Sequence, residues 1–155
     1  MQASGMSSPH RPDVDLAANC ACGAVAVTVR GRVRAMFLCS CEDCQRATGT
    51  GHAAAAMVDR RDVTVEGVTR SYTRPAASGA EFTRHFCPTC GTPLFSATSR
   101  AQEILLLPVG LFGAQTEWFV PNQLIFSRSH RDWDSIAESL PRHQTYRDEG
   151  GTRHV

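Results

Sequence analysis

Apolar positions along the chain fall in short runs separated by Gly, Pro, Asp and Asn. Residues 24–29 are rich in β-branched side chains (Val25, Val27, Thr28, Val29) and are closed by Gly31, which reads as a strand. Further short strands are expected at residues 33–38, 54–58, 63–65, 81–86, 94–97, 104–109 and 123–126. So many short, punctuated runs favour an all-β fold, a sandwich or half-barrel, over alternating helix and strand units. Two stretches resist that pattern. Residues 42–48 are expected to form one or two helical turns ending at Gly49, and residues 132–140 a short helix stopped by Pro141. The alanine-rich stretch 52–57 is ambiguous, because alanine prefers helix while its surroundings read as strand.

Neither end of the chain offers a periodic apolar face. Residues 1–12 and 149–155 are therefore expected to be flexible tails flanking one domain at 13–148, a size at which a single core suffices. Apolar residues make up 42% and charged residues 20% of the chain, as in ordinary folded proteins. A net charge of +1, from 16 basic and 15 acidic residues, provides no field for phosphate backbones or anionic lipid, so nucleic acid and membrane are not expected partners. The apolar runs at 53–58 and 104–107 are stopped by Asp59 and Pro108, far short of the roughly 20 residues that cross a bilayer. Residues 1–12 lack the apolar stretch of a secretory signal, which makes the cytoplasm the expected location, where disulfides would be reduced.

Compartment matters because the chain has seven cysteines, all in three tight groups: Cys20 and Cys22; Cys39, Cys41 and Cys44; Cys87 and Cys90. An odd count fits disulfides badly, whereas thiols at these spacings are what a zinc ion selects. In the strongest motif, Cys87-Pro88-Thr89-Cys90-Gly91, two intervening residues let both sulfurs face one ion, and Gly91 is suited to the positive φ that aims N–H groups at them. Cys20 and Cys22, two apart on an extended chain, share a face. Two half-sites together complete a four-thiolate structural zinc, while Cys39, Cys41 and Cys44 converge from one short segment as three ligands. The three-cysteine ion either recruits a histidine or keeps a place for substrate; spacing alone leaves both open, as it does zinc against iron.

These motifs, with Arg46, Ala47, Thr48 and Gly49 after the second group and Thr92, Pro93 and Leu94 after the third, resemble the glutathione-dependent formaldehyde-activating enzyme family, whose domain is shared with centromere protein V. The likeness runs from about residue 20 to 141. It implies a β-tent fold, a structural zinc on Cys20, Cys22, Cys87 and Cys90, and a catalytic zinc on Cys39, Cys41 and Cys44. The family often has a histidine before its last strand where this chain has Leu124, in Pro121-Asn122-Gln123-Leu124-Ile125.

A three-thiolate zinc suits a soft thiol as its fourth ligand better than hard oxygen, and coordination holds that thiol deprotonated near neutral pH. The expected chemistry is that of a carbon–sulfur lyase: glutathione or a similar thiol joining reversibly to a small aldehyde, as in S-hydroxymethylglutathione. The alternative is a zinc-stabilised module that binds or carries the thiol without catalysis. Arg46, two residues after Cys44, is the expected anchor for a substrate carboxylate, against an ordinary solvated arginine. Thr48 reads as a donor to a developing alkoxide or as a turn residue; His52 and His85 as proton carriers, fourth ligands or ordinary part-buried rings. Trp118, Phe119 and Trp133 read as core or rim aromatics.

Overall fold

The protein is represented by a computed structural model that describes residues 9–147, so residues 1–8 and all of 149–155 in the expected tails lie outside the described residues. Its elements in order are β1 (Asp13–Asn19), β2 (Ala26–Cys39), α1 (Glu42–Thr48), β3 (Ala53–Asp59), β4 (Val63–Glu66), β5 (Arg70–Pro75), β6 (Glu81–Phe86), β7 (Pro93–Thr98), β8 (Ile104–Pro108) and β9 (Leu124–Ile125). The architecture is mostly antiparallel sheet with one α-helix, in keeping with the all-β expectation.

The sheet folds about the long β2. Its first half pairs antiparallel with β1 on one edge and β4 on the other, from Asp13↔Arg32 to Asn19↔Ala26 and from Val29↔Val63 to Ala26↔Glu66. Its second half pairs with β3, and the order continues through β8, β7 and β6 to the edge strand β5. The two-residue β9 runs parallel to the end of β2, with Leu38↔Leu124 and Cys39↔Ile125. Burial alternates along β2, with Val27, Val29 and Val33 fully buried, as a strand with one face on a core requires. Those side chains, Leu16 from β1 and Met36 pack against Val58, Leu94, Leu105 and Leu107 to make the main core. Each such side chain, once fully buried, contributes about 1.5–3 kcal/mol of transfer free energy.

Several expectations are corrected. Gly31 does not end a strand: β2 runs through it, and the glycine serves instead to let the Asp62 carboxyl lie where a Cβ would stand. The ambiguous 52–57 stretch is strand, because β3 is gripped on both edges by β2 and β8 and tertiary pairing overrides alanine's helix preference. Residues 132–140 form turns rather than a helix; Trp133 is 70% exposed and Asp134 is held by His52 and His130, so no apolar stripe exists to dock a helix. Strands β1 and β5 were not expected at all. β5 is exposed along nearly its whole length, and its conformation comes from pairing with β6.

Between Val33 and Ala35 the β2–β3 register shifts, which leaves Arg34 as the extra residue of a bulge. Its guanidinium grips Asp59 in a fork, Nη2 at 2.6 Å and Nε at 3.2 Å, and this holds the Asp59 carboxyl below the usual carboxylate range. A lowered carboxylate stabilises the fold at all pH values above its unfolded pKa of about 4, and that contribution is lost only as pH falls through the lowered value. Because Arg34 is partly exposed, screening keeps the pair small. Asp59→Asn is expected to cost about 0.5–1 kcal/mol in urea unfolding, by the same amount at pH 8 and pH 5. A difference that shrinks between those two values would show that the pair is not its source.

Candidate metal centres

The first cluster joins two turns that are far apart in sequence. After β1 the chain turns at residues 20–24, where the Gly23 N–H reaches the Cys20 carbonyl at 2.9 Å and Gly23 has φ 81°. Cys20 and Cys22 thus converge from a tight turn, not from the extended strand that their spacing suggested. The β6–β7 connection is built alike: the Gly91 N–H reaches the Cys87 carbonyl at 2.9 Å, with Gly91 at φ 76° as expected. Thr92 ties the turns together, its Oγ1 accepting from the Ala21 N–H and lying 3.1 Å from the Cys90 sulfur.

The sulfurs of Cys20, Cys22, Cys87 and Cys90 all lie within 4.8 Å of one another, with Cys20–Cys22 at 3.6 Å and Cys22–Cys87 at 3.7 Å. Thiolates at the corners of a tetrahedron with zinc–sulfur bonds of about 2.3 Å stand about 3.8 Å apart, whereas a disulfide needs about 2.05 Å. This donor set fits a zinc-like ion. The Val25 N–H donates to the Cys20 sulfur at 3.3 Å, the kind of N–H···S bond that steadies a ligating thiolate. Hydrogen bonds from Thr92, first its side chain and then its backbone, hold Cys90 down at about 5.

The second cluster is local. Cys39 ends β2, Cys41 caps α1 and Cys44 lies in its first turn, so the strand-to-helix corner turns all three sulfurs to one point, again within 4.8 Å. The Cys41 sulfur accepts the Cys44 N–H at 3.3 Å, an N-cap made by sulfur, and α1 closes at Gly49, whose N–H reaches the Gln45 carbonyl. Gln45 fastens the helix to the fold by donating to the carbonyls of Ser40 and Ser129 at 2.8 and 2.9 Å. Hydrogen bonds from Cys39 and then Cys44, helped by the Cys44 N–H and the Arg74 charge, hold the Cys41 thiol far down at about 2. Its hydrogen bonds to Cys41 and Cys44, and its burial, push Cys39 up. Among the described residues no histidine or carboxylate joins either group.

The two clusters differ in what they face. Cys39, Cys41 and Cys44 line a cavity of about 1010 Å³; none of the other four cysteines does. Around the triad pack Phe37, Met57, Phe82, Leu106, Phe126 and Tyr146. Phe126 holds left-handed backbone (φ 55°), stands edge-on to the Tyr146 ring at 4.8 Å and has the Arg128 guanidinium 5.6 Å from its centroid. Arg74, from β5, also lines the cavity. Its side chain is only 16% exposed and lies 4.9 Å over the Phe82 ring; Nη1 meets Asp43 at 3.1 Å, while Nε is buried without a hydrogen-bond partner.

The remaining sequence candidates fall elsewhere. Arg46 is 72% exposed on the outer side of α1, with its guanidinium near Glu42 at 3.5 Å and Asp43 at 3.6 Å, and it does not line the cavity. Thr48 does line it, but its hydroxyl donates back to the Cys44 carbonyl at 2.9 Å. His52 is bound through Nδ1 to Asp134 at 2.7 Å, and His85 stacks on Phe95 at 4.3 Å with its pKa lowered by burial and by Arg60. Trp118 and Phe119 pack on the main core, unlike Trp133. Arg74 escaped notice because nothing in the polar edge strand marks one arginine as buried; its partners Asp43 and Phe82 come from other elements.

The chain's sequence matches the family described as glutathione-dependent formaldehyde-activating enzyme over residues 15–129, most of its length. The chain belongs to that family. A crystal structure of a Rhodobacter sphaeroides protein is similar in fold, with a TM-score of 0.51 and 23% identity over 64% of this chain and 89% of that one. No curated protein matches. Membership accounts for the order of the three cysteine motifs, and the structure gives the family departure at Leu124 a place. That side chain is fully buried in β9, while its neighbours Gln123 and Ile125 line the cavity, so the substitution falls on the side away from it. Among the described residues no helix is long and apolar enough to cross a membrane.

Proposed function

We propose that this protein is a zinc-dependent carbon–sulfur lyase that makes or breaks the adduct of a thiol with a small aldehyde, of the S-hydroxymethylglutathione type. In this reading Cys20, Cys22, Cys87 and Cys90 hold a structural zinc, and Cys39, Cys41 and Cys44 hold a second one open to the cavity. The observation that carries it is the contrast between two sulfur clusters, only one of which lines the cavity of about 1010 Å³, and that one with three donors where a closed site has four. Bound by three thiolates, a zinc ion supplies a soft Lewis-acid position that keeps a substrate thiol deprotonated near neutral pH.

The chain's own residues do the rest. The β2–α1 corner orients the three cysteines, and Phe37, Phe82, Leu106 and Phe126 form the apolar wall of the cavity beside them. Arg74, positioned by Asp43, is placed to hold an anionic group of the substrate, a role that fits this buried side chain better than the exposed Arg46. In the net reaction a bond forms between the thiol sulfur and the carbonyl carbon, the carbonyl π pair moves to oxygen, and the proton lost by sulfur returns to that oxygen through solvent. The reverse breaks the same bonds, with no oxidant or reductant. A cytoplasmic location would suit both the free thiols and a thiol substrate.

Exchange between formaldehyde and its thiol adducts, followed by NMR with glutathione and with small mercaptocarboxylates, tests the reading. Zinc-loaded protein is expected to accelerate exchange for at least one thiol above the uncatalysed rate. Background rates throughout, with thiol binding intact, would leave only the carrier.

A further inference from the structure

The cavity's walls narrow the chemistry of the thiol. The triad is surrounded by Phe37, Met57, Phe82, Leu106 and Phe126, so whatever occupies the space beside it is in contact with hydrocarbon and aromatic faces. Charge around the cavity is one-sided. Among the described residues, Arg11, Arg74, Arg84 and Arg128 line it against two acids, Glu42 and Asp43. Both acids are already engaged: Asp43 with Arg74 at 3.1 Å, and Glu42 with Arg46 at 3.5 Å and Arg131 at 3.7 Å. An ammonium group entering this cavity finds, among the described residues, no unpaired carboxylate and an excess of like charge. A carboxylate, in contrast, finds Arg74, fixed over Phe82 and carrying a buried Nε that no protein group satisfies.

We infer that the thiol substrate of this chain is an anionic mercaptocarboxylate with an apolar or aromatic body and no ammonium group, its carboxylate held by Arg74. The inference rests on the proposed thiol–aldehyde chemistry and specifies its substrate class. Glutathione fits that description poorly. At neutral pH it brings an ammonium into this excess of like charge, and two peptide groups that lose water where they meet the aromatic faces around the triad.

Isothermal titration of zinc-loaded protein compares four thiols: 4-(mercaptomethyl)benzoate, its neutral parent benzyl mercaptan, the cationic 4-(mercaptomethyl)benzylamine, and glutathione. The benzoate is expected to bind about tenfold or more tightly than glutathione or the neutral parent, and the cation to bind weakest of the aromatic three. In Arg74→Gln, once its zinc content is shown to equal wild type, the benzoate's advantage over benzyl mercaptan is expected to fall to about one. Because an altered half-buried arginine can disturb zinc loading, the wild-type ranking also decides alone. Glutathione binding as tightly as the benzoate, or the cation outranking it, overturns the inference and leaves the parent reading standing. An advantage that survives in Arg74→Gln overturns the assignment to Arg74. If no thiol binds, the thiol–aldehyde reading fails and this inference with it.

Discussion

Cys87→Ala is expected to leave a chain without a cooperative unfolding transition at 25 °C, rather than a mildly weakened protein. Cys87 is fully buried and its N–H is bonded to the Thr92 carbonyl at 3.0 Å, so it sits at the root of the β6–β7 turn that meets the turn ahead of β2. Removing it takes one of four thiolates from the proposed structural zinc. Structural zinc of this type contributes apparent binding free energies of about 10–16 kcal/mol, while a domain's whole stability is about 5–15 kcal/mol. The metal contribution therefore decides whether the chain folds, and losing a core cysteine's packing, about 1–2 kcal/mol, is minor beside it. Circular dichroism with thermal melting checks the variant. Wild-type protein treated with a chelator strong enough to strip both clusters is expected to behave likewise. A variant that melts at the wild-type midpoint would show that the four cysteines are not a structural metal site.

The parts of this site that could be read from sequence are those whose partners are close in sequence. Cys39, Cys41 and Cys44 share one corner of five intervals, and the knuckles at Cys20–Cys22 and Cys87–Cys90 carry their own glycines, so spacing and turn chemistry spoke for them. Arg74 is the opposite case. Its burial, its hold on Asp43 and its stacking on Phe82 are all products of the β5–β6 pairing and of the packing of that hairpin against α1, and a polar edge strand bears no sign of them. Arg46 shows the limit of spacing in another way: two residues from Cys44 in sequence, it lies on the exposed side of a helix whose inner face is set by tertiary contacts. The fold divides likewise. Strands with continuous apolar runs, such as the second half of β2 and β8, were legible, whereas β1 interleaves Val14 and Leu16 with two aspartates that find Arg30 and Arg32 across the sheet. At 132–140 turns replace the expected helix, and Asp134 there is held by His130 and by His52, 82 residues away, a contact that no local pattern shows.

Cys41→Ala separates the two clusters functionally. Cys41 is half-buried at the start of α1, away from the main core, and its loss removes one proposed ligand of the triad and the sulfur cap of a seven-residue helix. The loss of the cap costs about 1 kcal/mol, too little to unfold a domain held by the other cluster and by the core around Val27, Val58 and Leu107. The variant is therefore expected to fold, to carry about half the wild-type metal, and to lose both thiol binding and any acceleration of adduct exchange. Metal analysis, melting and titration with 4-(mercaptomethyl)benzoate check the three parts separately. The charge state of the triad adds an independent measurement. With Cys41 held down by its hydrogen bonds to Cys39 and Cys44, and with Cys39 and Cys44 pushed up, Cys44 because the hydrogen bond from Cys39 is outweighed by that to Cys41 and by burial, loading the wild-type triad is expected to release protons near neutral pH. Titrations in buffers of different ionisation enthalpy read that release directly, and Cys41→Ala should abolish the release assigned to this cluster while sparing that of the other. Should Cys41→Ala unfold the protein instead, the triad would be a second structural staple, and the cavity beside it would no longer argue for chemistry at sulfur.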